Sequence, residues 1–175
     1  MLLIFTGITK AENLFIGLQT GYFSPSNKVF KEVYGSGFYF SGELGIDVWK
    51  KTSLFFGIRH FSKKGELSYT KEEAKLKIVP IHLGVRIRLS EQKIAPFIGA
   101  NISLNYFREV VPLQTVSNAK LGFLVETGIF IRISKRYFIK FDINYNHCQI
   151  KPFYTKINIS GINAGIGFTC FFKTI

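Results

Sequence analysis

The stretch that decides the fold is residues 41–62, SGELGIDVWKKTSLFFGIRHFS, in which charged side chains interrupt two strongly apolar runs. Side chains of a β-strand alternate between its two faces with a period of two residues. Counted in that way, Glu43 and Asp47 share one face of the first run, and Arg59 lies on one face of the second. The opposite face carries no charge in either run. The pattern therefore predicts an antiparallel hairpin with one apolar and one polar face.

The turn of this hairpin sets which residues face each other. A fold about Lys51 places Glu43 opposite Arg59. An opposite-charge pair across two strands stabilises a sheet by roughly 0.2–1 kcal/mol. We therefore expect the charges of the polar face to be paired with one another.

The same alternation recurs in eight segments, each a predicted strand. They cover residues 13–23, 37–49, 53–62, 76–89, 95–106, 121–133, 137–146 and 161–172. Each is near or above the roughly 9–11 residues that a tilted strand needs to cross the hydrocarbon of a bilayer. We expect no ionised side chain on the apolar face of any segment. Pro80, inside the fourth segment, calls for a local bulge because proline cannot donate to a strand ladder.

The connections alternate between long and short along the whole chain. The long ones, residues 24–36, 63–75, 107–120 and 147–160, are polar and contain lysine, whereas 50–52, 90–94 and 134–136 are short. Short turns on one side and longer loops on the other are typical of an up-and-down barrel threaded through a membrane. The predicted fold is therefore all-β, an eight-stranded antiparallel up-and-down transmembrane β-barrel.

The two faces of such a barrel could be assigned in either direction. A water-soluble barrel would turn its apolar face inward, around a ligand. Here the charged face also carries most of the strand glycines, and its charges nearly balance, which favours a narrow interior of paired ions over a solvated surface. Aromatic residues near the strand ends resemble membrane-interface girdles. The predicted lumen network, with a structural role, consists of Glu43, Asp47, Arg59, Arg86, Arg88, Glu126, Arg132, Lys140 and Asp142.

Composition excludes several classes of protein. Hydrophobic residues make up 47% of the 175 residues, yet no run approaches the roughly 18–20 apolar residues of a membrane helix. The net charge of +12 is dispersed among the connecting segments, which favours a solvated rim that can meet anionic lipid over a nucleic-acid surface. Cys148 and Cys170 form neither a disulfide framework nor a metal-ligand spacing. We expect no cofactor, no metal and no nucleic-acid partner.

The first twelve residues, MLLIFTGITKAE, differ from the rest of the chain. A short apolar stretch followed by Thr9 and Ala11 is typical of the end of a secretory signal. The alternative is a first strand that begins early. We predict a signal-peptide remnant at residues 1–12 and the barrel domain at residues 13–175.

Two parts of the chain resemble a known family. They are LFFGIRHFSKKGELSYTKEEAKLKIVPIHLGVRIRLSEQKIAPFIGANISLNYF, residues 54–107, and ISKRYFIKFDINYNH, residues 133–147, with the later SGINAGIGFTCFF. They resemble the small outer-membrane β-barrel domains of Gram-negative bacteria that are related to OmpA, OmpX and OmpW. The resemblance implies an integral location in the cell outer membrane. It also implies contacts with outer-membrane lipid, with lipopolysaccharide and with the outer-membrane assembly machinery.

The tripeptide His60-Phe61-Ser62 is the one candidate for catalysis. His60 and Ser62 fall on the lipid-facing side, and the pattern resembles the His-x-Ser of outer-membrane lipid A deacylases. A base beside a hydroxyl nucleophile could hydrolyse an acyl ester. The orienting carboxylate is not placed by the sequence, and Glu66 is only a loop candidate. We prefer a non-enzymatic reading, in which His60 is an interfacial residue, His82 an interior polar residue and His147 a loop residue.

The functional prediction follows from the size of the barrel. The interior of an eight-stranded barrel is just wide enough for side chains to fill. We therefore predict a structural or surface-interaction role through four long external loops, with partners that the sequence does not identify. The alternative is a narrow, porin-like channel for small or hydrophobic solutes. A lipid A-modifying enzyme is a third hypothesis.

Overall fold

The computed structural model describes residues 13–66, 72–112, 114–150 and 157–173. Its elements, in chain order, are β1 Asn13–Pro25, α1 Lys28–Tyr34, β2 Gly37–Trp49, β3 Thr52–Glu66, β4 Glu73–Arg88, β5 Ile94–Val111, β6 Gln114–Arg132, β7 Tyr137–His147, β8 Gln149–Ile150, β9 Ile157–Asn158 and β10 Gly161–Lys173. The predicted signal-peptide remnant, residues 1–12, lies outside the described residues.

Eight of the strands close into one antiparallel barrel. The order around it is β1, β2, β3, β4, β5, β6, β7 and β10, and β10 pairs back onto β1 from Asn13 with Lys173 to Pro25 with Gly161. β8 and β9 form a separate small hairpin. Closure leaves no open strand edge, which is the condition for a sheet inside a membrane. The predicted eight-stranded barrel is confirmed, and no helix in the described ranges is long and apolar enough to cross a membrane.

The strands at the long-loop end extend further than their apolar alternation predicts. Residues 107–120 were expected to form a loop, yet β5 and β6 continue as a hairpin until Val111 pairs with Gln114. Likewise β3 reaches Glu66 and β4 begins at Glu73. Beyond the membrane the outward face of a strand meets water, so its side chains no longer need to be apolar. The strands therefore continue where the sequence signal has ended.

The first hairpin has a different register from the predicted one. Glu43 faces Gly57, and Arg59 faces Ser41, so the strands fold about Lys50 rather than Lys51. The register shifts between Asp47 and Trp49, where a bulge or irregularity absorbs the difference. The predicted cross-strand pair of Glu43 with Arg59 is therefore wrong.

Pro80 is accommodated without a change of register. On one side it pairs with Asn105 of β5. On the other side the β3–β4 ladder pairs Ile58 with Ile81 and Phe61 with Ile78, and skips the two positions between them. The missing N–H of proline thus falls in a gap of the ladder. The bulge expected at this position is not needed.

The outer wall of the barrel is an apolar belt. Leu18, Ile102 and Leu121 each expose 67–70% of their surface. Aromatic pairs lie near both ends of the belt, with Tyr22 and Phe38 at 5.4 Å and Tyr137 and Phe168 at 5.5 Å between ring centroids. An apolar surface of this extent fits lipid rather than water. The structure therefore contradicts the water-soluble alternative.

Lys77 is an exception to the expected absence of charge on the apolar faces. It lies within the predicted segment 76–89, and its side chain is exposed on the outward face of β4. Its neighbours along that face, Val79 and Ile81, are apolar. The apolar belt therefore ends at Lys77 on this strand.

Glycines of the inner face make room for long side chains that cross the lumen. A Cβ atom added at Gly84 would lie 1.7 Å from Oδ1 of Asn101, and one added at Gly57 would lie 2.3 Å from Nε2 of His82. Both distances are far inside van der Waals contact. Larger side chains at these positions would displace the polar groups that fill the interior.

Candidate functional site: the filled lumen

Three groups of side chains fill the lumen between the short-turn end and the long-loop end. At the short-turn end lies the inner aromatic cluster, Phe15, Phe55, Ala95, Phe97, Phe130, Phe138 and Phe171. At the long-loop end lies the outer apolar cluster, Phe23, Phe30, Tyr34, Tyr39, Phe61, Ala74, Leu76, Ile78, Phe107, Cys148 and Ile159. Charged and amide side chains occupy the space between them.

The central ion cluster consists of Glu43, Arg86, Glu126 and Lys140. Arg86 binds both carboxylate oxygens of Glu43, at 2.8 and 3.1 Å, and its Nε donates to Oε1 of Glu126 at 2.8 Å. Nζ of Lys140 lies 3.1 Å from Glu43 and 3.7 Å from Glu126. The residues come from β2, β4, β6 and β7, so the cluster ties four strands together. Two cations balance two anions, which is what a buried set of charges requires.

The inner aromatic cluster supports the arginine of this set. Cζ of Arg86 lies 4.1 Å from the ring centroid of Phe55, 5.1 Å from that of Phe97 and 5.5 Å from that of Phe130. A guanidinium is attracted to aromatic faces within about 6 Å. Arg86 is 1% exposed and therefore joins the ionic and aromatic parts of the filling.

A second ion pair, Asp47 with Arg88, lies at the short-turn end. Arg88 Nη2 lies 2.9 Å from Oδ2 of Asp47, and Ser53 Oγ donates to the other oxygen of Asp47 at 2.6 Å. Both residues line an open vestibule of about 550 Å³ at this mouth. Arg132 lies at the same mouth, is exposed, and donates to the carbonyl of Glu91 at 2.8 Å. It makes no ion pair with the described residues.

Amide side chains connect the remaining charges toward the long-loop end. Arg59 donates to Oδ1 of Asn144 at 3.2 Å, and Asn144 donates to Oδ2 of Asp142 at 2.7 Å. Gln19 donates to Oδ1 of Asp142 at 2.5 Å. Cζ of Arg59 also lies 4.4 Å from the ring centroid of Tyr39. In the described chain, Arg59 and Asp142 are thus linked through an amide rather than paired with an opposite charge.

The predicted network therefore divides into parts. Four of its members form the central ion cluster, Asp47 and Arg88 form the pair at the mouth, and Arg59 and Asp142 belong to the amide chain. Arg132 stands apart. The sequence analysis did not include the amides Gln19 and Asn144 in the network, because the position of a polar residue on the inner face does not indicate which charged side chain it contacts. The structural role of the nine charged residues of the predicted network remains a prediction.

The helix α1 covers the long-loop end. Asn27 caps it by accepting from the backbone N–H of Phe30 at 3.0 Å. Phe30 and Tyr34 lie on the same face and are buried in the outer apolar cluster. The hydroxyl of Tyr34 donates to Glu109, and burial together with this carboxylate raises the pKa of Tyr34 well above its ordinary value. The phenol stays protonated and fixes the helix to β5.

The histidines occupy three different environments. His60 and Ser62 are both exposed on the outward face of β3, and Ser62 Oγ donates to the carbonyl of Leu76 at 3.2 Å. His82 is buried in the lumen, 6.0 Å from Phe55, and His147 lies against Phe123 at 5.0 Å. The described part of the chain holds no group of His, Cys, Asp or Glu suited to a metal ion.

Comparisons with known proteins place the fold. No protein-family profile matches the sequence, and no curated protein sequence does. Among solved structures, neisserial surface protein A is similar with a TM-score of 0.70, 15% identity, and coverage of 91% of this chain and 97% of that one. Pseudomonas aeruginosa OprG has a TM-score of 0.70, 12% identity and coverages of 94% and 98%. Yersinia pestis Ail, the attachment invasion locus protein, has a TM-score of 0.52 and 11% identity, with coverage of 93% of this chain and 99% of that one.

These similarities agree with what the barrel itself shows. A closed eight-stranded barrel with an apolar belt and a polar, filled interior is the fold of integral outer-membrane proteins, and this chain has it. The resemblance to small outer-membrane barrels that was read from the sequence is confirmed at the level of fold.

Proposed function

We propose that the protein is a non-catalytic barrel of the cell outer membrane that acts structurally or through surface contacts made at its long-loop end. The observation that carries the proposal is the filled lumen. The inner aromatic cluster, the central ion cluster and the outer apolar cluster occupy successive parts of the interior. Almost all of the residues that form them are buried. A barrel that is closed inside presents function only at its ends and on its lipid-facing wall.

The long-loop end is the part best suited to contact a partner. There β5 and β6 project beyond the apolar belt, and α1 forms a folded cap. The similar structures include a surface protein and an attachment protein by their names. Those names motivate a role in surface contact for this chain, with the partner still to be found.

A narrow channel is less well supported. The cavity between Arg59 and Asn146 measures about 20 Å³, enough for about one water molecule. A hydrophobic or small polar solute would have to displace Arg86 from both of its carboxylates. The vestibule at the short-turn end stops at the inner aromatic cluster, where Ala95, Phe138 and Phe171 line it.

A lipid A-modifying enzyme is also less well supported. Within the described ranges no hydrogen bond joins His60 to Ser62, and no carboxylate orients His60. Glu66, the loop candidate for that carboxylate, is exposed at the end of β3. A change of Ser62 to Ala should leave the masses of cellular lipid A species unchanged.

Planar-bilayer recording of the purified, folded protein tests the proposal. We expect no steady current steps, in a bilayer where a general porin added as a positive control conducts. Folding is checked by heat-modifiable migration on gels. Steady steps from the folded protein would contradict a closed lumen and favour the channel.

Orientation is tested separately by labelling in intact cells. In a Cys148→Ser/Cys170→Ser background, cysteine is introduced at Lys31 of α1 or at Ser90 in a short turn. A membrane-impermeant maleimide should label the first variant and not the second. The reverse result would show that the long-loop end does not face outward.

A further inference from the structure

A row of polar side chains crosses four neighbouring strands on the outside of the barrel. Lys77 of β4 faces Ser62 of β3 on one side and Arg108 of β5 on the other, and Arg108 faces Ser117 of β6. All four side chains are exposed on the outward face. Two cations thus lie side by side with a hydroxyl at each end of the row. We call Ser62, Lys77, Arg108 and Ser117 the outer cationic row.

The two cations of the row have no counter-ion in the described chain. Like charges directly opposite each other on adjacent strands are destabilising. One step further from the belt, Lys64 faces Lys75, and Glu73 bonds to Lys64 at 2.9 Å. No carboxylate lies within 4.0 Å of Lys77 or Arg108 among the described residues. This arrangement suits an external anion that bridges the pair.

An apolar groove lies directly below the row. It measures about 430 Å³ and is lined by Lys77 and Arg108 at its polar edge and by Val79, Tyr106 and Ala119 toward the belt. The row directly below the outer cationic row holds Val79, Tyr106 and Ala119 together with the exposed His60 of β3. The row after it contains only apolar side chains, Ile58, Ile81, Leu104 and Leu121. The surface therefore changes from cationic to fully apolar within two rows.

Among the described residues, the outward-facing charges of the wall strands at this end lie on β3, β4 and β5. The corresponding ends of β1, β2, β7 and β10 turn Tyr22, Phe38, Tyr145 and Ile162 outward. A general attraction to the membrane surface would not require such asymmetry. Cations and hydroxyls above an apolar groove form a localised site for an amphiphile with an anionic head.

We propose that the outer cationic row and the groove below it bind the phosphorylated glucosamine head and one acyl chain of lipopolysaccharide. Lys77 and Arg108 contact a phosphate through charge-assisted hydrogen bonds, and Ser117 donates to an oxygen of the same head group. The hydroxyl of Ser62 donates to the carbonyl of Leu76, so Ser62 borders the site only as an acceptor. The acyl chain lies along Val79 and Tyr106. A free anion would use the row but gain nothing from the groove. This inference rests on the proposed function, because it needs the long-loop end to lie in the outer leaflet.

Lipid binding by purified protein tests the proposal. Native mass spectrometry of the folded protein is performed in micelles that contain bis-phosphorylated lipid A or the same lipid without phosphates. The test variant is Lys77→Gln/Arg108→Gln. The matched control is Lys50→Gln/Lys135→Gln, which removes the same charge at the short-turn end. Lys77→Arg/Arg108→Lys keeps the charge of the row.

We expect the wild-type protein, the control variant and the exchanged variant to retain phosphorylated lipid A. The test variant should bind phosphorylated lipid A at least about tenfold more weakly than the wild-type protein. All four proteins should retain the lipid without phosphates much less than the wild-type protein retains the phosphorylated lipid. Equal retention by the test variant, or equal retention of both lipids, would overturn the proposal. Complete displacement by an equal concentration of inorganic pyrophosphate would also overturn it, because the site would then recognise phosphate alone.

The labelling of Lys31 and Ser90 variants separates the two levels of the account. If labelling shows the long-loop end outside and lipid binding does not depend on the row, the glycolipid site is wrong and the proposed function stands. If labelling shows the opposite orientation, the proposed function itself is wrong.

Discussion

The central ion cluster and the outer cationic row contain similar residue types in opposite situations. In the lumen, Arg86 and Lys140 meet Glu43 and Glu126, and all four are almost fully buried. On the outer wall, Lys77 faces Arg108, both are exposed, and no carboxylate balances them. The charges in the lumen neutralise one another within the protein, whereas the two cations on the outer wall can be neutralised only by an anion from outside the protein.

This difference shows how the barrel separates stability from interaction. A buried charge is costly without its partner, so the lumen cluster must be satisfied by the chain itself. An exposed charge without a partner is hydrated by water, so it costs the folded protein little free energy while no ligand is bound. Substitutions in the first region should therefore change stability, and those in the second should change binding.

The largest loss of stability is expected on removal of the arginine of the central ion cluster. Arg86→Met leaves Glu43 and Glu126 buried with only Lys140 between them. We expect a loss of about 3–5 kcal/mol in the free energy of unfolding, measured by urea titration in lipid vesicles. Arg132→Met, at the exposed mouth, is the control and should leave the midpoint unchanged. Equal midpoints for both variants would remove the distinction between the regions.

A smaller loss is expected in the amide chain. Asn144→Leu removes the acceptor of Arg59 and a donor to Asp142 while keeping the size of the side chain. Because three buried groups, Arg59, Asp142 and Asn163, lose a partner, the free energy of unfolding should fall by about 1–3 kcal/mol in the same assay. Ile143→Leu, at the neighbouring lipid-facing position, controls for the change of shape. No loss in Asn144→Leu would show that this chain contributes little.

A substitution in α1, the helix that covers the long-loop end, should lower the free energy of unfolding by less, and by an amount that depends on pH. Tyr34→Phe removes the hydrogen bond to Glu109 and should cost about 1 kcal/mol at neutral pH. Because the pKa of Tyr34 is raised in the folded protein, its contribution is present below the ordinary tyrosine pKa of about 10 and is lost at higher pH. The difference between wild-type and variant midpoints should therefore shrink above pH 10. A constant difference would contradict the assigned contact.

The smallest effect is expected at the exposed pair above the outer cationic row. Lys64 and Glu73 expose 72% and 55% of their side chains. Exposed pairs of this kind contribute little because water screens them. Glu73→Gln should leave the unfolding midpoint unchanged in the urea assay. A clear drop would mean that the outer wall also carries stability.

The sequence predicted the regular part of the barrel because burial there follows a period of two. Alternation placed Leu44 outside and Glu43 inside, and the structure agrees in the orientation of all eight wall strands. It could not give the partners of Arg59, since a fold of the turn about Lys50 rather than Lys51 changes each opposite residue. Pairing of charges across a lumen depends on strands distant in sequence, which alternation does not register.

The long-loop end was predicted less well for a related reason. Outside the membrane the outward face of β5 and β6 meets water and need not be apolar, so their extensions lack the regular alternation of apolar and polar residues that marks a membrane-spanning strand. The helix α1 was also missed. Its signal was present, because Asn27 is a favourable cap and Phe30 and Tyr34 are four residues apart on one helical face. A seven-residue helix that depends on tertiary packing is nevertheless weak as a sequence pattern.

The central claim is that the wall of this barrel is apolar toward lipid and ionic toward its axis, and quenching by brominated lipid tests it most directly. In a Trp49→Phe background, tryptophan is introduced at lipid-facing Leu44, Ile58 or Ile87, and at lumen-facing Phe55 or Phe97 as size-matched controls. The account predicts strong quenching of the first three and little quenching of the last two. Strong quenching at Phe55 and Phe97, with protection at Leu44, Ile58 and Ile87, would contradict it.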